Sequence, residues 1–189
     1  MSNPNQLYLF FEKAAELFPD NYCIITEENK VTYKQVEQEV QKAYSTVMLN
    51  AKNEDFIGVP TTRCIEQIIF VLAVLKAGKA YLPIDFGYPK KRLDSIRNNS
   101  NVSFCLTTKI DETNAFEMGL KPLLVNDQSQ FVDDNEIAQN DQDLATYILY
   151  TSGSTGEPKG VCMGEKAMVN LINWQNENSL SKSSLHYKL

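Results

Sequence analysis

The sequence predicts an α/β protein with a mainly parallel sheet and helices on both of its faces. From Asp55 onward, short apolar segments alternate with longer segments whose apolar residues recur at helical spacing. Such an alternation places helices between neighbouring strands, which makes the strands parallel and covers the sheet on both sides. Gly78 follows one helical segment and Pro89 begins the next, as is usual at helix ends.

Three elements are predicted before this alternation begins. A first helix ends at Pro19, and its apolar residues are Leu7, Phe10, Phe11, Ala14, Leu17 and Phe18. Residues 22–33 form a hairpin with a polar turn at Glu27 to Lys30. Thr32 then caps a second helix, because its hydroxyl can accept a free amide of the first turn. The apolar face of that helix is formed by Val36, Val40, Ala43, Tyr44 and Val47.

The alternating part continues almost to the end of the chain. After an acidic stretch with nine acids and one base, residues 111–143, a further strand leads directly into a glycine-rich loop. A last helix follows this loop, and the polar residues 175–189 are expected to fray. The predicted strands are 55–60, 79–84, 102–108 and 144–150, and the predicted helices are 63–78, 88–100 and 164–177.

Composition excludes several classes of protein. With 43% hydrophobic and 22% charged residues the chain should fold as a soluble globule, and its net charge of -6 argues against nucleic-acid binding. The longest apolar run, Ile68 to Leu75, is far shorter than the roughly 20 residues that span a bilayer. No secretory signal is recognised, and the widely spaced cysteines predict buried free thiols in the reducing cytoplasm: Cys23, Cys64, Cys105 and Cys162.

The loop from Tyr150 to Gly160 has the composition of a phosphate cradle. Backbone amides point toward an anion when a strand is followed by a loop rich in glycine and hydroxyls and then by a helix. This arrangement requires positive φ angles, which Gly153, Gly156 and Gly160 can adopt. The loop matches neither the Walker sequence nor the dinucleotide fingerprint. An ordinary surface hairpin is the alternative, since the same residues are common in loops.

Three sequence stretches together resemble the adenylation domains of non-ribosomal peptide synthetases, which are adenylate-forming enzymes. "LYTSGSTGEPKG" resembles the signature loop of that superfamily, and "LKAGKAYLPIDFGYPKKRL" and "VTYKQVEQEVQKAY" resemble two elements of its amino-acid branch. The resemblance covers essentially the whole chain. It implies that residues 1–189 form the first subdomain of the large N-terminal domain of an adenylate-forming enzyme, an N-terminal portion that ends soon after the loop.

The resemblance also implies a reaction. An amino-acid carboxylate attacks ATP, with Mg²⁺ spreading the charge, and the aminoacyl group then passes to the phosphopantetheine thiol of a peptidyl carrier protein. The family's catalytic lysine, its acidic magnesium ligand and its specificity residues lie downstream of the loop, so neither a catalytic residue nor a metal ligand is assigned in this chain. Nucleotide-phosphate binding is assigned to Thr151, Ser152, Gly153, Ser154, Thr155, Gly156 and Lys159.

Two other functions remain as alternatives. The chain could be an inactive nucleotide-binding or interaction module, or part of an acyl-CoA or aryl-acid ligase. One departure from the family is local: where most relatives have His-Arg after the loop, this chain has Glu165 and Lys166. This is either variation within a subfamily, which we favour, or the mark of a non-functional copy.

Four single residues are given structural interpretations. Asp85 lies in a proline-rich turn and is expected to organise backbone hydrogen bonds. Cys162 is expected to be buried, and Trp174 to belong to the core or to a surface that faces a partner. His186 has no identifiable catalytic partner and is expected to be exposed.

Overall fold

The computed structural model describes residues 5–62, 64–125, 132, 145–152 and 158–178. It contains six helices and eight strands within these residues. In chain order they are α1 (Gln6–Leu17), β1 (Tyr22–Ile25), β2 (Lys30–Thr32), α2 (Tyr33–Asn50), β3 (Phe56–Pro60), α3 (Ile65–Lys76), β4 (Ala80–Ile84), α4 (Lys90–Ser100), β5 (Phe104–Thr107), α5 (Glu112–Glu117), β6 (Lys121–Leu124), β7 (Ala145–Ser152), β8 (Pro158–Gly164) and α6 (Glu165–Asn178).

The central sheet has six strands in the order β6-β5-β3-β4-β7-β8. All neighbouring strands are parallel except the last pair, in which β8 runs antiparallel to β7. Strands β1 and β2 form a separate antiparallel pair, as the predicted hairpin requires. The predicted α/β fold with a mainly parallel sheet is therefore confirmed.

Helices cover both faces of the sheet because the chain reverses its direction across it. Strand β4 lies on one side of β3, and β5 and β6 lie on the other side. The chain therefore moves across the sheet in one direction from β3 to β4 and in the opposite direction from β4 to β5 and β6. Right-handed crossovers then place α3 on one face, and α4 and α5 on the other. Successive side chains of β3 point alternately to the two faces of the sheet. Ile57 and Val59 belong to the cluster with α1, α2 and α3, whereas Gly58 lies against Ile84 and Cys105 in the second cluster.

The second helix matches its prediction, and the first matches it only in part. Thr32 caps α2 in a complete capping box with Gln35, and all five predicted apolar residues of α2 are buried. In α1 the buried residues are Tyr8, Phe11 and Ala15, and the predicted face was wrong for Phe10 and Leu17, which are exposed. Periodicity alone did not distinguish these two adjacent faces of α1.

Three elements, α5, β6 and β8, were not predicted from the sequence. The first two lie inside the acidic stretch, where frequent charged residues obscure a short helix and a four-residue strand. Val132 is hydrogen-bonded in both directions to α2: its amide donates to Ser45 Oγ, and its carbonyl accepts from Gln41 Nε2. Val132 therefore lies against α2, on the face of the sheet where a right-handed crossover from β6 to β7 would place it.

The cysteines differ in exposure. Cys105 is buried, Cys23 and Cys64 are half-buried, and Cys162 is exposed, so the expectation of four buried thiols was wrong for Cys162. Burial raises the pKa of Cys23 to about 11, and it also raises the pKa of Cys105, to which the charge of Asp111 adds.

The last helix reaches Asn178 and so includes the first residues of the tail that was expected to fray. The remainder of that tail, with His186, lies outside the described residues. Among the helices that the structure describes, none combines the length and hydrophobicity that a membrane crossing needs.

Candidate functional site

The glycine-rich loop leaves the sheet at the edge where the parallel strands end. Tyr147 of β7 pairs with Tyr81 of β4, and Ile84 at the end of β4 pairs with Pro60 of β3. The ends of β3, β4 and β7 therefore lie side by side. The helices after β3 and β4 cover opposite faces, which makes this edge a topological switch point, the usual place for ligands in open α/β sheets.

The loop connects two paired strands, and in this respect the predicted order of elements was wrong. Ser152 at the end of β7 pairs with Pro158 at the start of β8, and α6 begins only at Glu165. No helix N-terminus follows the loop directly, so amides of a first helical turn are not available to it. The predicted residues Gly153, Ser154, Thr155 and Gly156 lie outside the described residues, and Ser152 is described only by its place at the end of β7.

Thr151 and Lys159 form the root of the loop. They oppose each other across the hairpin, and the Thr151 hydroxyl donates to the Lys159 carbonyl at 3.5 Å. Directly paired residues in antiparallel strands point to the same face with Cβ atoms about 5 Å apart. Both residues are exposed, so a hydroxyl and an ammonium group are presented together to solvent.

On the opposite face of the hairpin, the side chains of β7 are packed. Ile148 and Tyr150 belong to the cluster beneath α4, and burial raises the pKa of the Tyr150 phenol against the opposing effect of a hydrogen bond with Ser100. Gly160 pairs with Tyr150, and a Cβ built on it would lie 3.0 Å from Tyr150 Cζ. Gly160 is thus a strand residue that admits the tyrosine ring. The prediction that it supplies a positive φ angle was wrong, since the described glycines with positive φ are Gly78 and Gly119.

A second turn lies at the same edge, directly after β4. The Asp85 carboxylate accepts the amide of Gly87 at 2.9 Å, which confirms its predicted structural role. Arg92 stacks on the ring of Tyr88, with its guanidinium carbon 4.1 Å from the ring centroid. The first turn of α4 carries Lys90, Lys91 and Arg92, so positive charge lies near the end of β4.

Glu165 occupies the position where the family motif has histidine. Its side chain is 5% exposed, and its carboxylate accepts the backbone amide of Gln6 in the first turn of α1. This contact gives the glutamate a structural reason to be there, which supports variation within a subfamily. The sequence shows the departure but could not predict the contact, because α1 and α6 are separated by most of the chain.

The described residues contain no group of three or more His, Cys, Asp or Glu side chains that could hold a metal ion. Magnesium prefers carboxylate, phosphate and water oxygens. Within the described part of the chain, then, no cluster of three such side chains is available to the Mg²⁺ that the family implies.

Four large apolar side chains of the hairpin and the last helix are exposed. We call them together the outer hairpin surface: Leu149, Val161, Leu171 and Trp174. Leu149 and Val161 are directly paired, and they continue the row of Thr151 and Lys159. Trp174 is 62% exposed, so it belongs to the surface and not to the core.

Comparison with known proteins identifies the family. The model of the family described as AMP-binding enzyme matches residues 11–187. Tyrocidine synthase 1 of Brevibacillus parabrevis is 34% identical over 171 residues, which are 87% of this chain and 16% of that protein. Bacitracin synthase 1 of Bacillus licheniformis is 33% identical over 178 residues, 93% of this chain and 3% of that protein. The chain spans a small part of these relatives.

Solved structures show the same fold. The N-terminal subdomain of Klebsiella oxytoca NpsA matches with a TM-score of 0.73 at 20% identity, over 90% of this chain and 44% of that chain. The nonribosomal peptide synthetase FmoA3, in a form bound to alpha-methyl-L-serine-AMP, matches with a TM-score of 0.76 at 24% identity, over 92% and 20%. The chain belongs to the AMP-binding enzyme family, and the family predicted from its motifs is confirmed.

Proposed function

We propose that this chain forms the phosphate-binding part of an adenylation domain that activates an amino acid with ATP. The observation that carries the proposal is the pairing of Thr151 and Lys159 at the root of the loop, where the parallel strands end. Membership of the AMP-binding family and 30–34% identity to the peptide synthetases support the amino-acid branch.

In the proposed reaction, a carboxylate oxygen of the amino acid attacks the α-phosphorus of ATP. The bond from that phosphorus to its bridging oxygen breaks, and pyrophosphate leaves with the electron pair. Negative charge on the β- and γ-phosphates grows during this step, so a cation and hydroxyl donors placed beside them lower the barrier. Lys159, Thr151 and the hydroxyls and amides of residues 152–156 would fill that role.

The aminoacyl adenylate would then react with the phosphopantetheine thiol of a peptidyl carrier protein, forming a thioester and releasing AMP. We assign no residue of this chain to this second step or to Mg²⁺. The residues that the family uses for adenine, ribose, the substrate side chain and catalysis lie downstream of the loop. The 189-residue chain should therefore bind phosphates weakly and should not catalyse amino-acid-dependent exchange of pyrophosphate into ATP.

An aryl-acid ligase is the second candidate. Two NpsA structures similar to this chain are complexes with 3-hydroxybenzoyl-AMSN and 3-hydroxyanthranilyl-AMSN. Those matches are 20–21% identical and support only the fold, whereas the peptide synthetases are more similar in sequence. The two candidates share the phosphate loop and differ in the acid that is activated.

The test is binding of inorganic triphosphate and of ATP to the 189-residue chain, followed by calorimetry and amide chemical shifts. We expect triphosphate to bind with a dissociation constant of about 1 mM, because few contacts offset the entropy cost. Lys159→Ala should weaken binding about tenfold, as expected when a charge-assisted contact is lost, and added salt should weaken it too. Lys13→Ala removes the same charge from an exposed position of α1 and is the control.

Equal binding by the Lys159→Ala and Lys13→Ala variants would contradict the proposed role of the loop. ATP binding that is much tighter than triphosphate binding would favour a self-sufficient nucleotide-binding module, because it would require adenine or ribose contacts within this chain. Robust pyrophosphate exchange by the chain would contradict the assignment of catalysis to downstream residues.

A further inference from the structure

The start of α1 is the meeting point of four elements that are distant in sequence. The Asn5 amide donates to the carbonyl of Leu75 in α3 at 2.9 Å, and its side-chain amide donates to Thr146 Oγ1 in β7 at 3.3 Å. Glu165, the first residue of α6, accepts the amide of Gln6. We call this group the α1 junction; it comprises Asn5, Gln6, Leu75, Thr146 and Glu165.

Apart from Gln6, which is exposed, the residues of the junction are buried. Asn5 is 0% exposed, Thr146 is 1% exposed and Glu165 is 5% exposed. Both ends of the Asn5 carboxamide are hydrogen-bonded, since its oxygen also accepts the amide of Leu7 and so caps α1. Polar groups that are buried this deeply are costly unless they are hydrogen-bonded, so each bond of the junction constrains the position of the element that provides it.

Glu165 is the one acid in this junction, and its charge is compensated by helix ends. The free amides at the N-terminus of α1 and the first turn of α6 both favour a negative charge there. The amide of Gln6 contributes a charge-assisted hydrogen bond, which is stronger than a neutral one.

The junction lies at the end of the β7–β8 hairpin opposite the phosphate loop. Ala145 pairs with Gly164 at the base, and Thr151 pairs with Lys159 at the loop. Thr146 attaches the base of β7 to α1, and Glu165, directly after Gly164, attaches the end of β8. Strand β8 lies at the edge of the sheet and is paired on one side only, so fewer backbone bonds fix its position than fix that of β4.

We propose that Glu165 is a positioning residue for the phosphate loop. Its bond to α1 fixes the end of β8, and the hairpin register transmits that position to Lys159, which must remain opposite Thr151 to reach the same phosphate. This inference depends on the proposed function, because phosphate binding is one of its readouts. It also explains why glutamate can replace the histidine of the family motif: here the residue acts through α1 and not on the substrate.

The test compares four variants of the 189-residue chain. Glu165→Ala removes the acceptor, Glu165→Gln keeps an acceptor oxygen without charge, and Glu165→Asp keeps the charge on a shorter side chain. Glu177→Ala removes an exposed acid from the same helix and is the control. Inorganic triphosphate affinity and hydrogen exchange at the Lys159 and Val161 amides are measured well below the melting temperature of every variant.

We expect Glu165→Ala to weaken triphosphate binding about fivefold, the effect of one lost hydrogen bond, and to speed exchange in β8 but not in β3. Glu165→Gln should restore most of both properties, Glu165→Asp should restore less, and Glu177→Ala should match the unmodified chain. A residue that only stabilises the fold would lower the melting temperature and leave affinity and β8 exchange of the folded protein unchanged. That result would overturn the inference.

The two proposals fail in different ways. If the unmodified chain binds no triphosphate and Lys159→Ala changes nothing, the proposed function fails. Exchange in β8 then decides the positioning role alone: faster exchange in Glu165→Ala with recovery in Glu165→Gln supports it, and unchanged exchange contradicts it. If Glu165→Ala does not fold, the same comparison is made between Glu165→Gln and Glu165→Asp.

Discussion

Strands β3 and β8 belong to the same sheet, but they are stabilised in different ways. β3 lies between two parallel neighbours, and four of its five residues are buried. β8 lies at the edge, and most of its residues are exposed. The hydrophobic effect therefore fixes β3 from both faces, whereas β8 depends on its pairing with β7 and on the α1 junction.

Within this one sheet, the buried strand contributes mainly to stability and the edge strand carries the residue that we assign to function. Strand β3 holds the two helical layers together, and β8 carries Lys159, the residue that we assign to phosphate binding. An edge strand that is constrained at one end and exposed at the other can adjust around a ligand without disturbing the core. The same exposure leaves the outer hairpin surface open to solvent.

Thiol labelling should show the largest contrast between the two regions. Cys105 lies beside Gly58 of β3 and is completely buried, whereas Cys162 of β8 is exposed. Burial also raises the pKa of Cys105, which suppresses the reactive thiolate. We expect Cys162 to react with iodoacetamide at least about 1,000 times faster, because Cys105 requires unfolding or a large opening to react. Comparable rates by mass spectrometry would show that the centre of the sheet opens readily.

Truncation of one side chain in each region should give the next largest difference. Leu106 in β5 is 0% exposed and packs in the same cluster as the residues of β3, so Leu106→Ala should cost about 2 to 5 kcal/mol of unfolding free energy. Val161→Ala in β8 should change it by less than about 0.5 kcal/mol, as is usual at exposed positions. Urea unfolding measures both, and similar costs would mean that the outer hairpin surface is covered in solution.

The smallest difference in unfolding free energy is expected between alanine substitutions of two glycines, one in each strand. A Cβ on Gly58 would lie 2.8 Å from Ile84 Cδ1 and 3.1 Å from Cys105 Sγ inside the core, so Gly58→Ala should cost about 1 to 3 kcal/mol through overpacking. A Cβ on Gly160 would meet Tyr150, which is only partly buried and can move aside. Gly160→Ala should therefore cost less in urea unfolding. If it costs as much as Gly58→Ala, the Tyr150 ring is held more firmly than its exposure indicates.

The sequence predicted those elements whose local pattern is strong. Thr32 and Gln35 specify a capping box within four residues, and the apolar face of α2 repeats without interruption. Gly78 follows the end of α3 with a φ of 64°, as a glycine at that place predicts. The motif of residues 149–160 identified the family, because its glycines and hydroxyls occur together with two further motifs in the correct order.

Other features were beyond local reasoning. Strand β8 has no alternation of buried and exposed residues because it is an edge strand, so its sequence resembled the loop that precedes it. The buried face of α1 depends on how Tyr8 and Phe11 pack against α2 and α3, and not on the period of α1 alone. The exposure of Cys162 follows from the same edge position of β8.

By itself, the sequence determined the alternation of strands and helices and the family, and it predicted the residues of the phosphate loop, because these properties are encoded in neighbouring residues. Tertiary structure decided the strand order, the hairpin that carries the loop and the contact of Glu165 with α1. Each of those depends on contacts between segments that are far apart in the chain, such as Gln6 with Glu165 and Asn5 with Thr146. Such contacts form only when right-handed crossovers bring the ends of these elements together.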